Sequence, residues 1–174
     1  MMLTSYFIKK KINELVKEQA GRVCKSLPLS EARSLLIFYN VEDHQAIVNQ
    51  LSALRKENKV INTCVFVPDK NHEIQENESN ILVRAKGDLN AWCFPSDKIV
   101  ERVKAIQADI VIDLTRANCY AMHTIILQHP CTFKVGIKYP EQDWYDLAIS
   151  ATDKEDVTFL FEQVLFYLRS IGTK

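Results

Sequence analysis

Short unbroken apolar runs alternate along the chain with longer stretches in which apolar side chains recur every three or four positions. The first pattern is that of a strand buried on both faces, the second that of an amphipathic helix. Residues 4–25 place Ile8, Ile12, Leu15, Val16 and Val23 on one helical face. RSLLIFYN (33–40) then reads as a buried strand, and Glu42 to Glu57 as a helix with Ala46, Ile47, Gln50, Leu51 and Leu54 inward. VINTCVFVP (60–68) is a second strand ending at Pro68. The charged stretch DKNHEIQENESN, expected to be a mobile surface loop, separates it from ILVRA (81–85).

Pro95 and Ser96 open a helix that turns Ile99, Val100, Val103 and Ile106 inward, and ADIVIDLT (108–115) is the clearest buried strand. A helix over 117–128, a strand at FKVGI (133–137) and another at YDLAIS (145–150) follow. Thr152 and Glu155 match a capping box for a last helix that reaches Ile171 and stops at Gly172. Strands alternating with helices require crossovers, and right-handed crossovers place helices on both faces of a parallel sheet. The pattern predicts one α/β domain over residues 1–174. It is a three-layer, doubly wound, mostly parallel sheet of five or six strands (Rossmann-like), with an extra amphipathic helix over 1–26. The strand at 81–85, or YDLAIS (145–150) at the edge, is free to run antiparallel.

Composition narrows the function classes. Lys and Arg number 22 against 22 Asp and Glu, so the basic excess of a nucleic-acid binder is missing. No apolar run approaches the ~20 residues of a membrane span, and the first residues lack the h-region of a secretory signal. Five cysteines without a CxxC pair read as free thiols in a reducing, cytoplasmic setting, with Cys64 and Cys93 as small hydrophobes. The four glycines are far apart, which excludes a P-loop and a GxGxxG fingerprint, so no nucleotide cofactor is expected.

In an open α/β sheet the ligand site lies at the carboxyl ends of the strands, where the strand order reverses. With 33–40 and 108–115 as central neighbours, two polar loops face each other there. One offers Asn40, Glu42, Asp43 and His44, the other Asp113, Thr115, Arg116, Asn118 and Cys119. Asn40, Asp43, His44, Asp113, Thr115, Arg116 and Asn118 are therefore the candidate ligand-binding residues, with Arg116 suited to a phosphate or carboxylate. Helix capping by Asn40 and a first-turn role for Glu42 and Asp43 are the structural alternative, with His44 on the surface. Cys119 and His123 stand four apart, a metal-ligand spacing that no further ligand pair joins, so no metal is expected. His72 and His129 have no evident companions.

The unit Ala108 to Ile137 resembles the last βαβ unit in the N-terminal half of the heptosyltransferase-type glycosyltransferases. LLIFYNVED (35–43) aligns with the strand and loop that end in a Gly-Asp pair in those enzymes. That resemblance implies a Rossmann-like acceptor-side half and puts Asp43 at the place of their proposed base. Glu42 stands where those enzymes have glycine, and their sugar-nucleotide domain has no counterpart. Over its full length the chain resembles a family of short bacterial α/β proteins of unknown function, which implies a fold and no chemistry.

The residues thus predict a non-catalytic binding or interaction module for a small anionic ligand or a protein partner. A glycosyltransferase-like half-enzyme, with Asp43 as base and a separate partner domain, is the alternative. The basic side of the first helix carries Lys10, Lys11, Lys17, Arg22 and Lys25. Glu14 and Glu18 lie at i,i+4 from Lys10 and Arg22, the pattern of a solvated, salt-bridged face without nucleic-acid or membrane contact. Phe159 and Phe166 lie opposite the apolar face of the last helix, so either the first helix or a second copy in a homodimer is expected to cover them.

Overall fold

The computed structural model describes residues 2–68, 74–115, 119–138, 143–151 and 156–172, with backbone only for 2–5. Six strands form one sheet: β1 (Ser34–Asn40), β2 (Val60–Val67), β3 (Asn80–Arg84), β4 (Ile110–Asp113), β5 (Lys134–Lys138) and β6 (Leu147–Ser150). Their order is β3-β2-β1-β4-β5-β6 and every pairing is parallel, so neither edge strand takes the antiparallel option. The fold is α/β and Rossmann-like, and the order reverses between β1 and β4.

Strand alternation sorts the core into two layers. Leu35, Ile37 and Tyr39 of β1 and Ile110 and Ile112 of β4 face α2 (His44–Lys56) and α5 (Val157–Ser170). Leu36, Phe38 and Val111 face α3 (Asp97–Lys104) and α4 (Tyr120–Gln128). α1 (Met2–Gln19) adds an outer layer, because Ile8, Ile12 and Leu15 pack on Leu127 at the end of α4. This explains why YAMHTIILQ is apolar on all sides: α4 is held between the sheet and α1, and Ala121 through Leu127 are buried.

Several sequence expectations shift. α1 ends at Gln19, so Val23 is off the helix and 79% exposed. Of the inner face expected for α2, Ile47, Leu51 and Leu54 are buried, Gln50 is half-buried and Ala46 is exposed. The capping box at Thr152 and Glu155 lies outside the described residues; α5 starts later, with Asp156 accepting from the Phe159 N–H at 2.8 Å. Cys93 is exposed with φ 63°, not a core hydrophobe, whereas Cys64 is buried. Phe159 and Phe166 are 44% and 60% exposed; α1 lies across the sheet from α5 and does not cover them.

Candidate functional site

β4 ends in a carboxylate because its alternation turns Val111, Asp113 and then Thr115 toward the α4 side, where Asp113 pairs with Phe38 of β1 and Gly136 of β5. Asp113 is 2% exposed. Its Oδ1 accepts from the Thr115 backbone N–H at 2.8 Å and from the Thr115 hydroxyl at 2.7 Å. Its Oδ2 accepts from the Tyr145 hydroxyl. His123, fully buried on α4, brings Nε2 to 3.3 Å from Thr115 Oγ1 and 3.6 Å from Asp113 Oδ2. Because the Thr115 hydroxyl proton goes to Asp113, its oxygen is the acceptor and His123 Nε2 carries the proton. Burial holds the His123 imidazole below its ordinary pKa, against the opposing pull of Asp113.

Tyr145 reaches Asp113 only because residue 136 is glycine. A Cβ at Gly136 would sit 2.5 Å from the Tyr145 ring. A glycine inside a strand marks such a close approach, and that was the signal available in the sequence. Around the network, the Trp144 ring lies 4.7 Å from the His123 ring, and Tyr120 carries Lys9 Nζ of α1 at 5.5 Å over its face. Tyr145, His123 and Gly136 are thus site residues that pattern reading alone did not select.

At the facing loop a 3-10 turn, Val41–Asp43, separates β1 from α2. Asn40 is 3% exposed at the end of β1 and makes no side-chain cap, so the capping alternative is not realised there. The inserted turn moves the N-cap of α2 to Asp43, whose helical φ −86°, ψ −6° lacks the extended geometry of a capping side chain. Asp43 is 6% exposed, while Glu42 faces solvent. His44 leaves this group. It is half-buried on the other side of the sheet, its Nδ1 2.9 Å from the Tyr39 hydroxyl and its ring stacked on that ring at 5.9 Å. Burial, then Arg55, lowers its pKa.

The structure therefore brings Asp113 and Thr115 together, places Asn40 on the same face one strand away, and sends His44 elsewhere. Arg116 and Asn118 lie outside the described residues. Among the described residues no set of three metal-ligating side chains converges, and Cys119 remains a buried thiol raised to about 12, chiefly by burial. His129 does have companions, both backbone: its Nε2 lies 2.9 Å from the Ile106 carbonyl, and its Nδ1 accepts from the Cys131 N–H at 3.1 Å. Among the described residues no helix is long and apolar enough to cross a membrane. Asp113 already accepts three hydrogen bonds, so it acts as a post that fixes the end of β4 more than as an open base.

No curated protein and no solved structure matches the chain. A family model does, that of a family of unknown function, DUF6913, over residues 5–171. With nearly the whole chain spanned, the protein belongs to that family.

Proposed function

We propose that the chain is a non-catalytic binding module whose small polar ligand sits at the carboxyl ends of β1 and β4. The observation that supports this is the reversal of strand order between β1 and β4, with Asn40, Asp43, Asp113 and Thr115 buried at that edge. The three hydrogen bonds that Asp113 already accepts argue for recognition over proton transfer. Anion binding is tied to Arg116, the cation that the sequence supplies directly after Thr115. A thermal-shift screen of nucleotides, nucleotide sugars, sugar phosphates and small carboxylates tests the reading. A ligand at about 100 times its Kd stabilises by about 2.7 kcal/mol. The shift is expected to vanish in Arg116→Ala, and a shift untouched by Arg116→Ala and Asp43→Asn would place the ligand elsewhere.

The half-enzyme reading draws on one observation, the burial of Asp43 at the end of β1. It requires a partner subunit with a nucleotide-sugar site; the isolated chain is expected to transfer no sugar, because half an enzyme cannot hold donor and acceptor together. A homodimer across the exposed Phe159 and Phe166 is the third element of the proposal. Light scattering should show a dimer that Phe159→Glu/Phe166→Glu dissociates without unfolding.

A further inference from the structure

Away from the sheet, three aromatic side chains from two elements meet in solvent. Tyr6 and Phe7 of α1 are 63% and 43% exposed, and Trp92, in the turn between β3 and α3, is 47% exposed. Their rings form an edge-to-face chain, Tyr6 to Phe7 at 5.6 Å and Phe7 to Trp92 at 5.2 Å. The cluster is separate from the face α1 buries on α4, which uses Ile8, Ile12 and Leu15.

The turn that carries Trp92 is closed by hydrogen bonds. Asn90 Oδ1 accepts from the backbone N–H of Trp92 at 2.9 Å and of Phe94 at 3.1 Å, and the Asn90 N–H donates to the Phe94 carbonyl at 2.9 Å. Cys93 is held at φ 63°, a left-handed conformation that is uncommon outside glycine. Phe94 packs inward beside α1, and Trp92 is turned out.

Charge selects the partner. One helical turn beyond the two rings, at i+3 and i+4, stand Lys10 and Lys11. The salt-bridged face expected from the sequence is only partly formed: Lys11 meets Glu14 at 4.0 Å, both half-exposed, and Arg22 pairs with Asp146 instead of Glu18. α1 carries four lysines against two glutamates in a chain whose net charge is zero. Tyr and Phe rings of a surface helix, with Lys10 and Lys11 one turn on and the Trp92 ring beside them, match the headgroup layer of an anionic bilayer.

We propose that Tyr6, Phe7 and Trp92, with Lys10 and Lys11, form a peripheral docking surface for anionic lipid bilayers. The test uses the full chain with vesicles of phosphatidylcholine, alone and mixed with phosphatidylserine. The chain is expected to sediment with the mixed vesicles, less so as salt rises, with a blue shift of tryptophan fluorescence. Trp92→Phe should keep sedimentation and lose the shift, since the half-buried Trp144 is the only other tryptophan. Phe7→Ser/Trp92→Ser should abolish sedimentation with an unchanged circular dichroism spectrum. Lys10→Glu/Lys11→Glu, at exposed or half-exposed positions, should weaken binding at least about tenfold and keeps the test open if the aromatic variant misfolds. Wild type that ignores phosphatidylserine vesicles overturns the proposal. So does an aromatic variant that sediments like wild type, or a chain that captures an acidic peptide and no vesicle.

Discussion

The α4 face of the sheet buries polar groups at both ends, and the two ends are built on opposite principles. At the carboxyl end a carboxylate, Asp113, is met by donors that Thr115 and Tyr145 direct at its two oxygens. At the amino end a cation, Lys134, is fully buried, and among the described residues its hydrogen-bond acceptors are neutral. Its Nζ donates to Gln19 Oε1 and to the Leu127 carbonyl, each at 3.1 Å. The carboxylate nearby, Asp146, is engaged by Arg22 Nη2 at 2.7 Å and by the Lys134 backbone N–H at 2.7 Å. A cavity of about 300 Å³ opens beside it, between Gln19, Arg22, Leu127 and Trp144. A buried charge met by donors on both oxygens holds its neighbours in place, whereas Lys134, whose counter-charge Asp146 is engaged by Arg22 and only partly offsets its burial, keeps a net desolvation cost. The two ends should therefore respond differently to removal of their charges.

The largest effect is expected from Asp113→Ala. It removes a buried carboxylate that accepts from the Thr115 N–H and hydroxyl and from the Tyr145 hydroxyl, at a cost of about 3–5 kcal/mol in denaturant unfolding. A loss below about 1 kcal/mol would show that the network is dispensable and erase the contrast with Lys134.

Gly136→Ala comes next. The added methyl collides with the Tyr145 ring, so the ring must leave and its bond to Asp113 goes with it, at a cost of about 2–4 kcal/mol. Tyr145→Phe alone removes only the hydroxyl contact, about 1.5–3 kcal/mol. If the two changes act through the same contact, Tyr145→Phe costs almost nothing more in the Gly136→Ala background. Full additivity would mean that Gly136 does not position Tyr145.

These residues also show where sequence reading succeeds and stops. LLIFY and IVID are legible because a strand buried on both faces has no polar alternation, and their adjacency follows from the doubly wound order. Asp113 and Thr115 stand out because they break that apolar run. Tyr145 does not, since its role depends on a missing side chain at position 136, in the neighbouring strand. YDLAIS reads as a strand from Tyr145, yet β6 begins at Leu147, and the Tyr145 ring lies against Gly136. His123 drew notice through its spacing from Cys119, a local relation, whereas its neighbours Asp113 and Trp144 come from β4 and the segment before β6. Trp92 stands exposed in a turn that Asn90 closes, which no periodicity records.

The smallest effect at neutral pH, and the sharpest test of the comparison, is Lys134→Met. Methionine nearly matches the lysine stem in volume and brings no charge, so the lost bonds to Gln19 and Leu127 are offset by the removed desolvation cost. Stability near pH 7 should change by less than about 1 kcal/mol in either direction. The pH dependence carries the distinction. Burial, then Arg22, lowers the Lys134 pKa to about 8, against 10.5 for a free lysine. Between those values the unfolded chain binds a proton that the folded chain does not, so this group makes stability rise with pH from about 8 to about 10.5. The gain across that window is on the order of 3 kcal/mol. Cys64 and Cys119 oppose it: burial raises both thiols, so the unfolded chain loses their protons first and stability falls above about pH 9. The slope of wild type alone mixes the two, but both proteins share the thiols. Unfolding curves of wild type and Lys134→Met, subtracted across the alkaline range, should leave a difference that climbs in favour of wild type from about pH 8 upward. A flat difference would mean that Lys134 keeps its ordinary affinity for the proton, and that the amino end compensates its charge as fully as Thr115 and Tyr145 compensate Asp113.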